Sequence, residues 1–250
     1  MAYELRQLRA SYDGVSVIDG ISLDLASESI TVLLGPSGCG KTTLLNLIAG
    51  LKELDSGERI GFKDCRFSYA FQESRLLPWL DCRENAAFAL SGAFAQDSGP
   101  AHIRARARTE ALARVDRFLA AAGLSEAALL RPGELSGGMR QRLSLVRAFA
   151  YPSDILLLDE AFQAVDIRMK LELMDVFLDL WREERRTVVC VTHDVEEAAY
   201  LADRAVVLSP RPARVIDSFA VDVPRGERAL GAKAMMEAES RLYKLALGSA

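Results

Sequence analysis

The sequence predicts an α/β fold built on a mostly parallel sheet. Three short runs are predominantly apolar and show no alternation, at residues 30–34, 155–158 and 187–191. Strands that are apolar on both faces are typical of parallel sheets covered by helices. Helical patterns separate these runs, and between residues 109 and 122 the apolar residues fall on one stripe.

The N-terminal region predicts a small antiparallel β subdomain. Residues 3–13 and 17–26 alternate apolar and polar side chains on either side of Asp13-Gly14. Alternation around a turn-forming pair is typical of two antiparallel strands joined by a tight turn.

An inserted α-helical subdomain is predicted at about residues 87–150. Residues 91–108 are rich in Ala, Gly and Arg and have weak periodicity, so we expect a loop there that leads out of the sheet-based core. Beyond Pro224 the chain is Ala-rich, which indicates a further helix through Tyr243. We expect one domain over residues 1–250, since no repeat or linker marks a second one.

Composition narrows the classes of function. The net charge of -4 and the pI near 5.4 provide no basic field, so nucleic acid is not expected as a partner. Four scattered cysteines indicate a reduced cytosolic protein. No signal peptide and no run of ~20 apolar residues are evident, so any membrane role is expected to come from a partner.

Residues 35–42 match the phosphate-loop pattern G-x-x-x-x-G-K-[ST], between an apolar strand and a helix predicted over residues 42–49. The glycines allow close backbone approach, and the helix N-terminus directs amides at phosphates. Lys41 is predicted to meet the β- and γ-phosphates of a nucleotide, and Thr42 to bind Mg²⁺. The predicted nucleotide-binding residues here are Gly35, Pro36, Ser37, Gly38, Cys39, Gly40, Lys41, Thr42 and Thr43.

Two carboxylates follow the buried run at 155–158, where parallel sheets bind ligands. Asp159 is predicted to act on Mg²⁺, and Glu160 to polarise the attacking water, because an ionised carboxylate can accept its proton. The run at 187–191 leads to His193, which is predicted at the same sheet edge and would share the catalysis with Glu160 and Lys41.

A second anion site is predicted at residues 135–142, which read Leu-Ser-Gly-Gly-Met-Arg-Gln-Arg and open a helix. Ser136 is in a good N-cap position, and the two glycines expose backbone amides. Together with the phosphate loop and the carboxylates, this motif makes the sequence resemble the ABC ATPase family. The resemblance covers residues 3–220 and implies a RecA-like P-loop NTPase core that binds ATP and Mg²⁺ and hydrolyses ATP.

The resemblance also implies that two copies of the chain close on shared ATP. The motif at residues 135–142, which we call the signature, then contacts in each copy the γ-phosphate that the other copy holds. Gln72 is implied to link Mg²⁺ to the transporter, as a metal ligand and catalytic switch. His193 resembles the switch histidine that senses the γ-phosphate. Tyr12 resembles the adenine-stacking aromatic residue, although a plain strand aromatic is the alternative. The residues implied at the shared interface are Ser136, Gly137, Gly138 and Asp166.

Two positions depart from the family pattern. Ala161 stands where relatives mostly carry proline, and Val165 stands where leucine is usual. Both lie beside the predicted base and dimer interface, so they bear on how the dimer closes.

Residues 71–80 resemble the segment that docks onto a membrane permease, with Trp79 as a bulky apolar residue. This segment, with residues 192–198 and 208–212, is similar to ATPases of bacterial nitrate, sulfonate and taurine importers, and carriers of thiamine-precursor pyrimidines share it. The similarity implies a pair of permease subunits, an extracytoplasmic solute-binding protein and a place on the inner face of the cell membrane.

Two other classes stay open from the sequence. A soluble ABC ATPase of DNA repair, translation or iron-sulfur assembly fits poorly, because such proteins carry coiled-coil insertions or a second ATPase cassette. An exporter or lipid-transport ATPase would differ mainly in the docking segment. The transported solute is not encoded in this chain.

Overall fold

The computed structural model describes residues 3–95, 101–163, 166–229 and 232–248, and gives the backbone alone for residues 91–95, 101–107 and 247. The strands are β1 (Tyr3–Tyr12), β2 (Val15–Leu25), β3 (Ile30–Leu34), β4 (Ser56–Ile60), β5 (Phe67–Phe71), β6 (Ile155–Asp159), β7 (Thr187–Thr192), β8 (Arg204–Leu208) and β9 (Val215–Ala220). The α-helices are α1 (Lys41–Ala49), α2 (Cys82–Ala95), α3 (Ala101–Ala121), α4 (Gly137–Ala150), α5 (Ile167–Glu183), α6 (Val195–Leu201) and α7 (Met236–Gly248). Contacts divide the chain into two compact units. The first holds Met1–Phe67, Leu157–Glu160 and Arg186–Ala250, and the second holds Ser68–Leu156 and Ala161–Arg185.

The first unit contains the antiparallel sheet that the N-terminal alternation predicts. Its strand order is β2-β1-β4, and β1 pairs with β2 from Tyr3 opposite Leu25 to Tyr12 opposite Val15. Asp13 and Gly14 both have positive φ, as a two-residue turn matched to the strand twist requires. The prediction of two strands joined at this turn is confirmed.

The second sheet supports the phosphate loop. In the first unit its strands run in the order β6-β7-β3-β8-β9. β3 pairs in parallel with β7 on one side and β8 on the other, while β9 is antiparallel to β8. Every residue of β3 and β7 is buried, which explains why their sequences show no alternation. The predicted α/β class with a mostly parallel sheet is confirmed.

The C-terminal segment of the first unit is anchored by Arg228, which is 8% exposed. Its guanidinium donates hydrogen bonds to four backbone carbonyls, and burial lowers the pKa of Arg228 to about 10. The acceptors are the carbonyls of Tyr200, Ala202, Val221 and Val223. One side chain thus ties the C-terminal end of α6 to the chain beyond β9.

The second unit is mainly helical. Its α3, α4 and α5 meet through an aromatic chain in which Phe118 contacts Phe149, and Phe149 contacts Phe177, with ring centroids 6.0 and 5.9 Å apart. Phe162 meets Phe177 edge to face at 5.6 Å. Such pairs stabilise a core beyond the area that they bury.

One sequence prediction in this unit is wrong. Residues 91–108 were expected to form a loop, but the backbone is helical over residues 91–95 and 101–108. Alanine and arginine are strong helix formers, and their intrinsic propensity outweighs the lack of an apolar stripe. Residues 96–100 lie outside the described part, and the limits of the helical subdomain at 87–150 stay a prediction.

Across the described residues, no helix has both the length and the apolar character needed to cross a membrane.

Candidate active site

The phosphate loop connects β3 to α1, as the sequence predicts. Gly38 and Gly40 have φ of 76° and 120°, in the region that favours glycine. A Cβ added at Gly40 would lie 2.8 Å from Cγ1 of Val17, so a larger residue would push the loop away from β2. At its start, the Gly35 amide donates to the carbonyl of Thr192 at the end of β7. The loop is therefore fixed at both ends by the strands beneath it.

Lys41 is the first residue of α1 and is only 5% exposed. Its ammonium donates to the carbonyls of Gly35 and Pro36, with Nζ–O distances of 2.9 and 3.1 Å. Nζ also lies 3.3 Å from Oε1 of Glu160. A buried ammonium needs such partners, and these contacts keep its charge at the centre of the loop.

The hydroxyl and carboxylate predicted to bind Mg²⁺ lie together. Oγ1 of Thr42 donates to Oδ1 of Asp159 at 3.0 Å, across the gap between α1 and β6. Mg²⁺ is typically bound by one or two protein oxygens together with nucleotide phosphates and water. Among the described residues, no cluster of three or more His, Cys, Asp or Glu side chains could hold a metal by itself. The donor set fits an Mg²⁺ ion that arrives with a nucleotide.

Glu160 follows β6 and faces both Lys41 and His193. Oε1 of Glu160 lies 3.5 Å from Nδ1 of His193, which confirms the expected proximity of the two side chains. Glu160 has a φ of 50°, which is unusual for a residue other than glycine. Its amide donates to the carbonyl of Val191 at 3.1 Å, so β7 holds the backbone in this conformation. Left-handed backbone of this kind concentrates at functional sites.

The side chain of Cys39 does not face the nucleotide site. A position beside a helix N-terminus favours a thiolate, but this side chain is 1% exposed and burial raises the pKa of the thiol. A Cβ added at Gly35 would lie 3.0 Å from the sulfur, which shows that the side chain points under the loop. Only the backbone of Cys39 can meet a ligand.

A cavity of about 180 Å³ opens over the loop and contains a residue that sequence reasoning missed. Arg211, from the hairpin between β8 and β9, lines this cavity. The similarity of residues 208–212 to importer ATPases did not mark Arg211 as a site residue, because the hairpin reaches the loop only through the fold. The other lining residues are Gly38, Gly40, Lys41, Thr42, Thr43 and Glu160.

Tyr12 ends β1 and is 47% exposed, so its ring is accessible to a ligand. The Lys52 ammonium lies 3.9 Å from the ring centroid and forms a cation-π contact. Stacking of this ring on adenine stays a prediction.

The remaining predicted site residues belong to the second unit. Ser136 caps α4 by accepting a hydrogen bond from the Met139 amide at 3.2 Å, as predicted. Gly138 packs against the side chain of Met169, where an added Cβ would lie 2.9 Å from the sulfur. Asp166 caps α5 by accepting from the Met169 amide at 3.0 Å. The two helix N-termini are therefore joined through one methionine.

Gln72 lies just after β5 and is exposed. Its carbonyl accepts a hydrogen bond from Nε2 of Gln141 on α4, at 3.0 Å. Gly137 is exposed in the first turn of that helix. Of the two departures from the family pattern, Ala161 is buried and Val165 lies outside the described residues.

Comparison with known proteins identifies the family. A family model described as ABC transporter matches residues 18–163. An aliphatic sulfonates import ATP-binding protein, SsuB 1 of Xanthomonas axonopodis pv. citri, is 40% identical over 84% of this chain and 81% of its own length. The taurine import ATP-binding protein TauB of Chromobacterium violaceum is 37% identical over 85% of this chain and 79% of its own length.

The fold also matches a solved structure of a metal-chelate type ABC transporter in an inward-facing conformation. The TM-score is 0.75 at 20% identity, and the match covers 99% of this chain and 89% of that one. With its phosphate loop, paired carboxylates and capped signature helix, the chain belongs to the ABC transporter family, as one of its ATP-binding and ATP-hydrolysing members.

Proposed function

We propose that the chain is the ATP-hydrolysing subunit of an importer for small organic anions of the aliphatic sulfonate or taurine type. The observation that carries the proposal is the meeting of Lys41, Glu160 and His193 over a phosphate loop. The solute class rests on the relatives that are named as sulfonate and taurine import ATP-binding proteins.

In this proposal the loop amides and Lys41 bind the phosphates of ATP. The Lys41 ammonium exchanges its contacts with the Gly35 and Pro36 carbonyls for the β- and γ-phosphates. Thr42 and Asp159 would hold Mg²⁺, and the role of Gln72 as a metal ligand stays an implication of the family resemblance. When bound, Mg²⁺ would offset the negative charge that grows on the phosphates in the transition state.

Glu160 acts as the general base. Its carboxylate accepts a proton from the water that attacks the γ-phosphorus, while the bond from that phosphorus to the bridging oxygen of ADP breaks. His193 lies 3.5 Å from the same carboxylate, where it positions Glu160 and donates to the γ-phosphate. Tyr12 supports the adenine ring by stacking.

A second copy of the chain completes each site. Ser136, Gly137 and Gly138 direct amides and a hydroxyl at the γ-phosphate of the other copy, because a helix N-terminus favours anions. Asp166 is proposed to lie at the same interface. Its side chain accepts a hydrogen bond from the Met169 amide, and the Met169 side chain packs against Gly138 of the signature.

The segment after β5 is proposed to dock onto the permease. Trp79 is 65% exposed, and a cavity of about 600 Å³ beside it is lined by Leu80, Phe88 and Leu129 among others. Trp is enriched at interface hot spots, and exposed apolar patches mark interaction surfaces. A short helix of a membrane subunit is proposed to bind in this groove, which would place the chain on the cytoplasmic face of the membrane.

Hydrogen bonds connect the docking segment to the signature helix. The buried side chain of Asn85 accepts from the Leu77 amide at 2.8 Å and donates to the carbonyls of Leu77, Leu80 and Asp81. From α4, Arg147 donates to the carbonyls of Ser74 and Arg75, both at 2.7 Å. These bonds join α4 and the docking segment, so the two should move together as one rigid body. Closure of two copies of the chain on ATP would then pull on the permease.

Co-purification from membranes tests the proposal. The tagged chain should carry permease subunits with it, and the reconstituted complex should hydrolyse ATP faster when solute-loaded binding protein is added. Vesicles should take up an aliphatic sulfonate or taurine only with ATP. ATPase activity without any membrane subunit would instead support a soluble ABC ATPase, and outward movement of solute or lipid would support an exporter.

A further inference from the structure

Arg211 brings a cation to the phosphate loop from a distant part of the chain. Its side chain lines the cavity of about 180 Å³ over that loop, together with Lys41, Thr42 and Glu160. The residue belongs to the hairpin between β8 and β9, so the loop pattern itself does not include it.

The hairpin is held in place by the same strand that supports the phosphate loop. The Ala213 amide donates to the Val17 carbonyl at 2.8 Å, and the Asp19 amide donates to the Ala213 carbonyl at 3.0 Å. Val17 also packs against Gly40 of the loop. Because β2 contacts both segments, the place of Arg211 over the loop is set by the fold.

Bonds within the hairpin fix its shape. Oγ of Ser209 accepts from the Arg214 amide at 3.0 Å and donates to the Pro212 carbonyl at 3.2 Å. The Ser209 amide donates to the Arg214 carbonyl at 2.9 Å. A residue at the tip of this loop is therefore presented on a rigid support.

The charges around Arg211 favour a polyanionic ligand. Within the part of the chain that the structure describes, its guanidinium has no hydrogen bond or ion pair, whereas Arg214 in the same hairpin pairs with Asp19. Glu160, the acidic residue of this cavity, already contacts Lys41 and His193. The Arg211 guanidinium, beside the amides of the phosphate loop, has the geometry to bind phosphate oxygens in a bidentate manner.

We propose that Arg211 binds the polyphosphate chain of the nucleotide that the phosphate loop holds, as a binding residue supplied by the β8–β9 hairpin. The inference rests on the proposed function as far as ATP is the nucleotide. Its side chain lines the cavity together with residues of the loop, and it adds a second cation to the one that Lys41 provides.

Calorimetric titration of the full chain with Mg-ATP and with Mg-ADP tests this inference. Arg211→Gln should weaken ATP binding at least tenfold, since hydrogen bonds between charged groups are worth this much or more. Arg211→Lys keeps the charge but loses the bidentate geometry, so its affinity for ATP should lie between those of the wild type and Arg211→Gln. Arg214→Gln is the matched control, because it removes the same charge from the same hairpin but not from the cavity, and should stay within twofold of wild type.

Several results would overturn the inference. They include Arg211→Gln binding ATP within twofold of wild type, equal losses in the Arg211 and Arg214 variants, and a loss of ATP-driven dimerisation with unchanged ATP affinity. Thermal unfolding without nucleotide should be the same in the wild type and the Arg211 variants, because Arg211 is exposed. Arg214→Gln loses its ion pair with Asp19 and is expected to melt at a lower temperature. If the wild-type chain binds no ATP, the proposed function itself fails, a result distinct from an indifferent Arg211.

Discussion

Replacing Glu160 by glutamine removes one negative charge from the active site while keeping the shape of the side chain. The amide oxygen can still accept from Lys41, whose Nζ lies 3.3 Å from Oε1, and the contact with His193 at 3.5 Å is conserved in geometry. What the variant lacks is a group that can take a proton from water. We therefore expect an ATPase that binds ATP and turns it over slowly.

The magnitude follows from the two roles of the carboxylate. Loss of general-base assistance costs roughly 10²–10⁴ in rate, which corresponds to about 3–5 kcal/mol in activation free energy. At 3.3 Å and an effective dielectric constant of about 20, the gross attraction between Lys41 and Glu160 is about 5 kcal/mol, before desolvation is counted. The variant frees Lys41 from this attraction, so its affinity for ATP should equal or exceed that of the wild type.

The assay combines phosphate release by the reconstituted complex with equilibrium ATP binding and gel filtration. We expect the variant to accumulate as an ATP-bound dimer. Glu237→Gln, an exposed change on α7, serves as a matched control and should behave as wild type. Turnover within threefold of wild type in Glu160→Gln would refute the assignment of Glu160 as the base.

Three further predictions concern docking, cysteine chemistry and stability. Trp79→Ala should weaken pull-down of the permease by about 2 kcal/mol or more yet leave the melting temperature unchanged, because the ring is 65% exposed; a stability loss with retained pull-down would make Trp79 a core residue. Iodoacetamide should modify Cys65 before Cys39 at neutral pH, since burial raises the pKa of Cys39 and depletes its thiolate; peptide mass spectrometry that finds the reverse order contradicts this. Arg228→Met should lower the free energy of unfolding by roughly 3 kcal/mol, because buried carbonyls lose their donor; urea denaturation within 1 kcal/mol of wild type would rule this out.

Local patterns were sufficient to predict the loop, the cap at Ser136 and the strands beside the loop. Phosphate-loop chemistry depends on the spacing of Gly40, Lys41 and Thr42, and the cap at Ser136 depends on the next three residues. The two buried runs β3 and β7 could be recognised because residues covered on both faces leave an uninterrupted apolar signature.

Features that depend on distant contacts could not be predicted. Arg211 reaches the cavity because β2 supports both its hairpin and the loop, and no local pattern encodes that arrangement. The direction of the Cys39 side chain likewise depends on the space beneath Gly35. For residues 91–108 the error was of another kind, because weak periodicity was given more weight than the helix propensity of alanine and arginine.

The left-handed backbone at Glu160 implies a trade-off between thermal stability and catalytic activity. In this conformation a residue with a side chain has a backbone free energy roughly 1 kcal/mol higher than that of glycine. The fold is therefore less stable by this amount because it keeps a carboxylate at position 160. Selection for thermal tolerance alone would favour glycine at position 160 and would erase the base. Thermostable variants of this chain should therefore be sought elsewhere, with position 160 held fixed.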